Sequence, residues 1–211
     1  VYLNNGTTGS VTFIGTVSPA GGNLKEPVTE STKKAARCFY ALSQNRADSK
    51  RYPAIDTLDS YSKYLEYPEF IEYAKDKLDE NWVDLVNEAR NVLVKGKETE
   101  EQINILGDDS VPIDYHIDLW KSEFIDFIIL QQDAFDKIDA TSSLERQEYM
   151  LKKVINVTRS EFKFDGFEEV AIYFKRLINI FKQMNYAIFK SEEFSKSEEE
   201  ANAILEERLV K

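Results

Sequence analysis

Cysteine and histidine occur once each in the 211 residues, as Cys38 and His116, methionine and tryptophan occur twice each, and glycine only eight times. One cysteine cannot form an intramolecular disulfide, which suits a reducing compartment. One cysteine and one histidine cannot build a zinc site, so no metal is expected. A lone His116 and no G-x-S-x-G around any serine leave a catalytic triad without a base, so no catalytic residue is expected and His116 reads as a packed or solvated side chain. No run of about 18 apolar residues exists, which excludes direct membrane insertion through a helix. The opening "VYLNNG" lacks the basic and apolar regions of a signal peptide and an initiating Met, so the chain reads as a piece of something longer.

Positive charge is also scarce: 27 Lys and Arg face 38 Asp and Glu, giving a net charge of −11 and a pI near 4.8. A phosphate backbone needs a concentrated basic face, and none appears, so nucleic acid is not an expected partner. The carboxylates make no recognisable site. "GDDSVPID" and "DKLDENWVD" lack the alternating oxygens and mid-loop Gly of a calcium loop, and "SEEE" at 197–200 reads as a solvated helix face. "NNGTTGS" at 4–10 lacks the lysine that follows the last glycine of a P-loop, and "AGG" at 20–22 is too short to hold a pyrophosphate.

What is present is enough to fold, since 42% of residues are hydrophobic and 12% aromatic. Val11, Phe13, Ile14 and Val17 beside the turn residues of "NNGTTG" predict a short β-hairpin within residues 1–22. From Val28 the pattern is helical, with helices expected over 29–47, 68–95, 97–106, 113–132, 143–160, 166–190 and 195–210. Ile71, Ala74, Leu78, Trp82, Leu85, Ala89 and Val92 recur at intervals of three and four, as do Phe167, Val170, Phe174, Leu177, Phe181, Met184 and Ile188. The expected fold is mainly α: a C-terminal helical bundle preceded by a short β-hairpin.

"SKRYPAIDTLDSYSKY", residues 49–64, places Tyr52 and Pro53 among charges and serines with no base nearby. A tyrosine restricted by a following proline is suited to offer a flat face to a flat ring such as a purine, and stacking contributes ~1–3 kcal/mol per base. "QQDAFDKID" at 131–139 offers Phe135 as a second face, although periodicity alone does not bring residues 52 and 135 together.

Three ordered stretches carry a resemblance. "GSVTFIGTVSPAGGNLKEPVTESTKKAARCFYAL", "RYPAIDTLDSYSKY" and "LQQDAFDKID" resemble, in that order, segments of the catalytic A subunit of V-type and archaeal-type rotary ATPases. The resemblance implies that residues 1–66 end a nucleotide-binding domain, the hairpin being its remnant, and that 67–211 form the helical bundle domain. It implies an adenine pocket walled by Tyr52, Pro53, Ala134 and Phe135, and a loop in which Gly21, Gly22, Asn23 and Glu26 contact a central rotating shaft. It further implies ATP or ADP with Mg in the parent subunit, none bound by the fragment, and phosphate chemistry performed upstream, so that the piece alone is inactive. The implied partners are the non-catalytic B subunits of an alternating hexamer and the shaft subunits, on the cytoplasmic side of the membrane as a peripheral complex. Family members swing the bundle as a lever when nucleotide binds and leaves. The alternative from the residues alone is a free-standing acidic helical adaptor or scaffold, which requires a well-sealed N-terminal hairpin. A stand-alone nucleotide-binding enzyme lacks a phosphate site.

Overall fold

The structure is a computed structural model that describes residues 4–210. Its chain divides into two compact units, one ending at Phe39 and one starting at Tyr40. In the first, residues 10–19 form no strand, and Val11, Phe13 and Ile14 are 94%, 91% and 87% exposed. The strand expected over residues 10–17, as the hairpin's second arm, is corrected: β-forming side chains make a strand only where a partner and a packed face exist. The hairpin's first arm at residues 1–3 lies outside the described residues. A short 3₁₀ turn, Ala20–Gly22, is followed by α1, Pro27–Ala35, with proline in its first turn.

The expected helix over 29–47 is also corrected. Ala36 is extended at φ −87°, ψ 145°, and ends α1. The aromatic, β-favouring run that follows becomes β1, Cys38–Leu42, paired antiparallel with β2, Ile55–Ser62. Ladder pairing overrides the helical period here. A five-residue helix, α2 (Gln44–Asp48), is capped by the Ser43 hydroxyl, which accepts from the Arg46 N–H at 3.4 Å.

The remaining chain is mostly helical, so the mainly α class holds, with a two-stranded sheet built from residues 38–42 and 55–62. The 68–95 helix is in fact α3, Pro68–Lys77, and the start of α4, Trp82–Leu106, separated where Leu78 leaves helical backbone (φ −123°, ψ −122°). Conversely, α4 runs unbroken through Gly96, where a break was expected. A Cβ on Gly96 would lie 2.1 Å from the Ser122 Cβ on α5, so this glycine is there to let two helices touch. Helix α5, Ile113–Ile125, ends in a π-helical turn, Asp126–Leu130, closed by the Gln131 N–H donating to the Asp126 carbonyl at 2.9 Å. Helices α6 (Leu144–Arg159), α7 (Phe167–Tyr186) and α8 (Glu192–Glu206) complete the bundle.

Helix α7 lies at the centre. Val170, Phe174, Leu177, Phe181 and Met184 are buried at the predicted intervals, and the Phe124 and Phe181 rings meet edge-on at 4.8 Å. Ile188, expected on the same face, lies beyond the end of α7 and is exposed. The end of α7 is satisfied by buried Arg146, which donates to the Met184 carbonyl at 2.9 Å and to the Asn185 carbonyl. His116 is packed rather than solvated: it is buried, stacks on Phe167 at 4.9 Å, and holds its Nε2 3.1 Å from the Asp108 carbonyl. Among the described residues no helix is long and apolar enough to cross a membrane.

Candidate functional site

The "RYPAI" stretch leaves α2 at Ser49 and turns through Lys50, which has a positive φ of 57°. The Arg51 N–H donates to the Arg46 carbonyl at 2.8 Å, and a cis peptide bond joins Tyr52 to Pro53. What fixes this loop is charge. Asp126, only 4% exposed, accepts from Arg46 and Arg51, each at 2.6 Å through a separate oxygen. Arg51 also makes a two-pronged pair with Glu123 at 3.0 and 2.7 Å, and its guanidinium lies 4.8 Å from the centre of the Phe127 ring. Hydrogen bonding to Glu123 holds Arg51 still more firmly protonated than usual, against the opposing effect of burial. The residue before Tyr52 is thereby clamped to the π-helical turn.

The "QQDAFDKID" loop is held by its own acids. Asp133 Oδ1 accepts from the Phe135 N–H at 2.9 Å, Asp136 Oδ1 from the N–H groups of Ile138 and Asp139 at 2.8 Å each, and Asp139 Oδ2 from the Asp133 N–H at 2.6 Å. These carboxylates tie a loop whose tip presents Phe135 fully to solvent, 99% exposed. Burial raises the Asp139 carboxyl above its ordinary value.

The two loops meet. The Gln132 N–H donates to the Tyr52 carbonyl at 2.9 Å, and Tyr52, Ala134 and Phe135 line one pocket of about 450 Å³, with Phe127, Gln131 and Lys182 behind them. Tyr52 is 54% exposed, its hydroxyl 3.5 Å from the Ala47 carbonyl. Pro53 lies outside this pocket and lines a neighbouring, more apolar cavity of about 900 Å³ with Trp82, Val86 and Leu93. Among the described residues no group of three or more His, Cys, Asp or Glu could hold a metal ion.

Gly21, Gly22, Asn23 and Glu26 belong to the first unit. Gly21 and Gly22 have φ of 62° and 71°, backbone that side chains disfavour, so the turn itself calls for glycine. The Asn23 side chain accepts from the Lys25 N–H at 3.1 Å, and Glu26 accepts from the Thr29 hydroxyl at 2.9 Å.

Residue reasoning passed over Arg46, Arg51, Asp126 and Lys182. One signal was readable. In "FIDFIIL" Asp126 sits within an apolar run, and an acid in that position needs partners.

A helical bundle following a small sheet, with a ring-lined pocket on the bundle side, has counterparts of known class. Residues 2–62 match the ATP synthase alpha/beta family, nucleotide-binding domain, and residues 71–164 match the C-terminal domain of V and A type ATP synthase. The chain is thus of the ATP synthase alpha/beta class, in its V/A-type branch. Its curated relatives are V-type ATP synthase alpha chains: that of Borrelia duttonii is 42% identical over 201 residues, that of Treponema denticola 37% over 199 and that of Protochlamydia amoebophila 36% over 211. These alignments cover 94%, 94% and 100% of this chain but 32%, 32% and 35% of the relatives, so the chain spans about a third of their length. They place it in the family of V-type ATP synthase alpha chains. A solved ATP synthase subunit, NeqB of Nanoarcheaum equitans, is similar over 67% of this chain and 33% of its own, at 20% identity and a TM-score of 0.49.

Proposed function

We propose that these residues serve in the catalytic subunit of a V-type rotary ATPase or ATP synthase, which couples ATP hydrolysis or synthesis to ion translocation, and that they supply the adenine pocket and the helical lever. The observation that carries this is the meeting of Tyr52 and Phe135, from loops about 80 residues apart, at one pocket tied by a backbone hydrogen bond. Two aromatic faces at the mouth of a pocket suit a purine, each stack contributing ~1–3 kcal/mol. Ala134 lines the same pocket, and Pro53, joined to Tyr52 by a cis peptide bond, lines the neighbouring cavity. The domain boundary falls near residue 66, in keeping with family matches that end at 62 and resume at 71.

ATP or ADP would come with Mg, which would supply Lewis-acid chemistry at the phosphates. What this chain does is hold and orient the base. The Arg51–Asp126 contact links the Tyr52 loop to the end of α5, so closing on a base displaces the bundle. The chain alone does not hydrolyse ATP, having no G-x-x-x-x-G-K-[ST] loop for the phosphates. Its partners are the alternating B subunits and the central shaft, the latter met by the turn at Gly21, Gly22, Asn23 and Glu26, in a peripheral complex on the cytoplasmic side. An adaptor role is disfavoured, because it required a sealed N-terminal hairpin where Val11, Phe13 and Ile14 stand open to solvent.

The test is Tyr52→Ala in the assembled enzyme, with ATP affinity measured by equilibrium binding. Loss of one stacked face should weaken binding roughly tenfold; unchanged affinity refutes the pocket.

A further inference from the structure

Lys182 is the odd member of this pocket. It projects from α7, the central helix, to the pocket floor, with its ammonium 4.4 Å from the centre of the Phe127 ring. The other cation over that ring, Arg51, has its carboxylates, Asp126 and Glu123. Lys182 has none: among the described residues no acceptor lies within hydrogen-bonding distance of its ammonium. Burial lowers its pKa and the nearby Arg51 lowers it further, an effect that Asp126 and Asp139 offset only in part. Gln131, which also lines this pocket, has its side-chain Nε2 buried without an acceptor.

A cation lacking a hydrogen-bond acceptor, in a pocket lined by two aromatic side chains, calls for a flat ligand with acceptor atoms on its edge. A purine has such atoms in its ring nitrogens. A phosphate would also accept from Lys182, but Asp133 and Asp139 line the same pocket and would repel it.

Resting on the nucleotide-pocket reading above, we propose that Lys182 is a base-binding residue, its ammonium donating a hydrogen bond to a ring nitrogen of a purine held between Tyr52 and Phe135. Because α7 carries the most deeply buried side chains of the bundle, this bond ties the base to the core of the bundle as well as to the surrounding loops.

The experiment uses the assembled ATP synthase carrying Lys182→Met, which keeps the apolar stem over Phe127 and removes the charge. The probes are ATP and analogues in which one ring nitrogen at a time is replaced by C–H. A charged hydrogen bond lost from a half-buried site should raise the Kd for ATP about tenfold. One analogue should bind the unaltered enzyme as weakly as ATP binds Lys182→Met, and lose nothing more in the variant. Lys182→Gln, which retains a donor, should show a smaller loss with the same analogue pattern, and serves if the Met variant does not assemble. A loss below twofold, or an equal loss across every analogue, overturns the role of Lys182. Tyr52→Ala separates this from the broader reading: if that change weakens ATP binding while Lys182→Met does not, only the lysine assignment falls; if neither has an effect, the pocket itself is wrong.

Discussion

Replacing Asp126 by Asn tests the clamp beneath Tyr52 without changing its shape. The carboxylate is 4% exposed and meets two guanidinium groups at 2.6 Å, so the amide keeps one oxygen to accept from one arginine, turns an NH2 donor toward the other, and removes the negative charge both were paired with. Breaking a buried pair by altering one partner ordinarily costs about 3–5 kcal/mol. The figure is lower here for three reasons. Arg51 keeps Glu123, the Arg46 and Arg51 side chains remain 15% and 26% exposed, and Arg46 Nε and Nη2 already lack acceptors. About 2 kcal/mol remains after allowing for solvent screening, equivalent to a Tm lowered by roughly 4–8 °C for a chain of this size. Thermal and urea unfolding of the chain would measure it, and a double-mutant cycle with Arg46→Met should return a coupling of about 1 kcal/mol. In the assembled enzyme ATP affinity should fall too, because the residue next to Tyr52 is released. A stability change under about 0.5 kcal/mol, or a cycle with no coupling, would refute the assignment of this cluster as the loop's anchor.

Gly96→Ala should destabilise the chain by about 1–2 kcal/mol in urea unfolding, the clash with Ser122 outweighing the ~1 kcal/mol gain in helix propensity. Adding Ser122→Gly should restore part of the loss, and a stabilised single variant would contradict close contact of α4 and α5. For alkaline pH the phenol of Tyr149, which donates to Glu198, is pushed up to about 12, first by burial and then by that carboxylate. A folded value above the unfolded one, about 10, means its contribution is complete below pH of about 10 and is lost as pH rises towards 12. Tyr149→Phe should therefore flatten the fall in stability across that window and remove one late step from the tyrosinate absorbance titration.

Much of the bundle was legible because its cause is local. The apolar intervals of α7 are written within a few residues of where they act. The misreadings share a different cause. Residues 36–42 have no lasting helical face, yet only the pairing of β1 with β2 reveals a strand, and that partner lies 13 or more residues further on. Gly96 looks like a helix breaker until Ser122, on the next helix, is seen against it. Val11 and Phe13 have strand-forming side chains but no packed face. At the site, the resemblance pointed to Tyr52 and Phe135, whereas Arg46, Arg51 and Lys182 act through contacts across 75 to 80 residues or across helices, where no spacing rule reaches.

The bond from the Gln132 N–H to the Tyr52 carbonyl has a consequence for how this cleft can change. The contact is made by main chain, so a change of ring at position 52 keeps both its donor and its acceptor while the Arg51–Asp126 clamp holds the loop. A smaller or larger ring at position 52 would alter how firmly a guest is gripped while the gap that admits it stays the same, so affinity can drift over generations without the jaw being rebuilt.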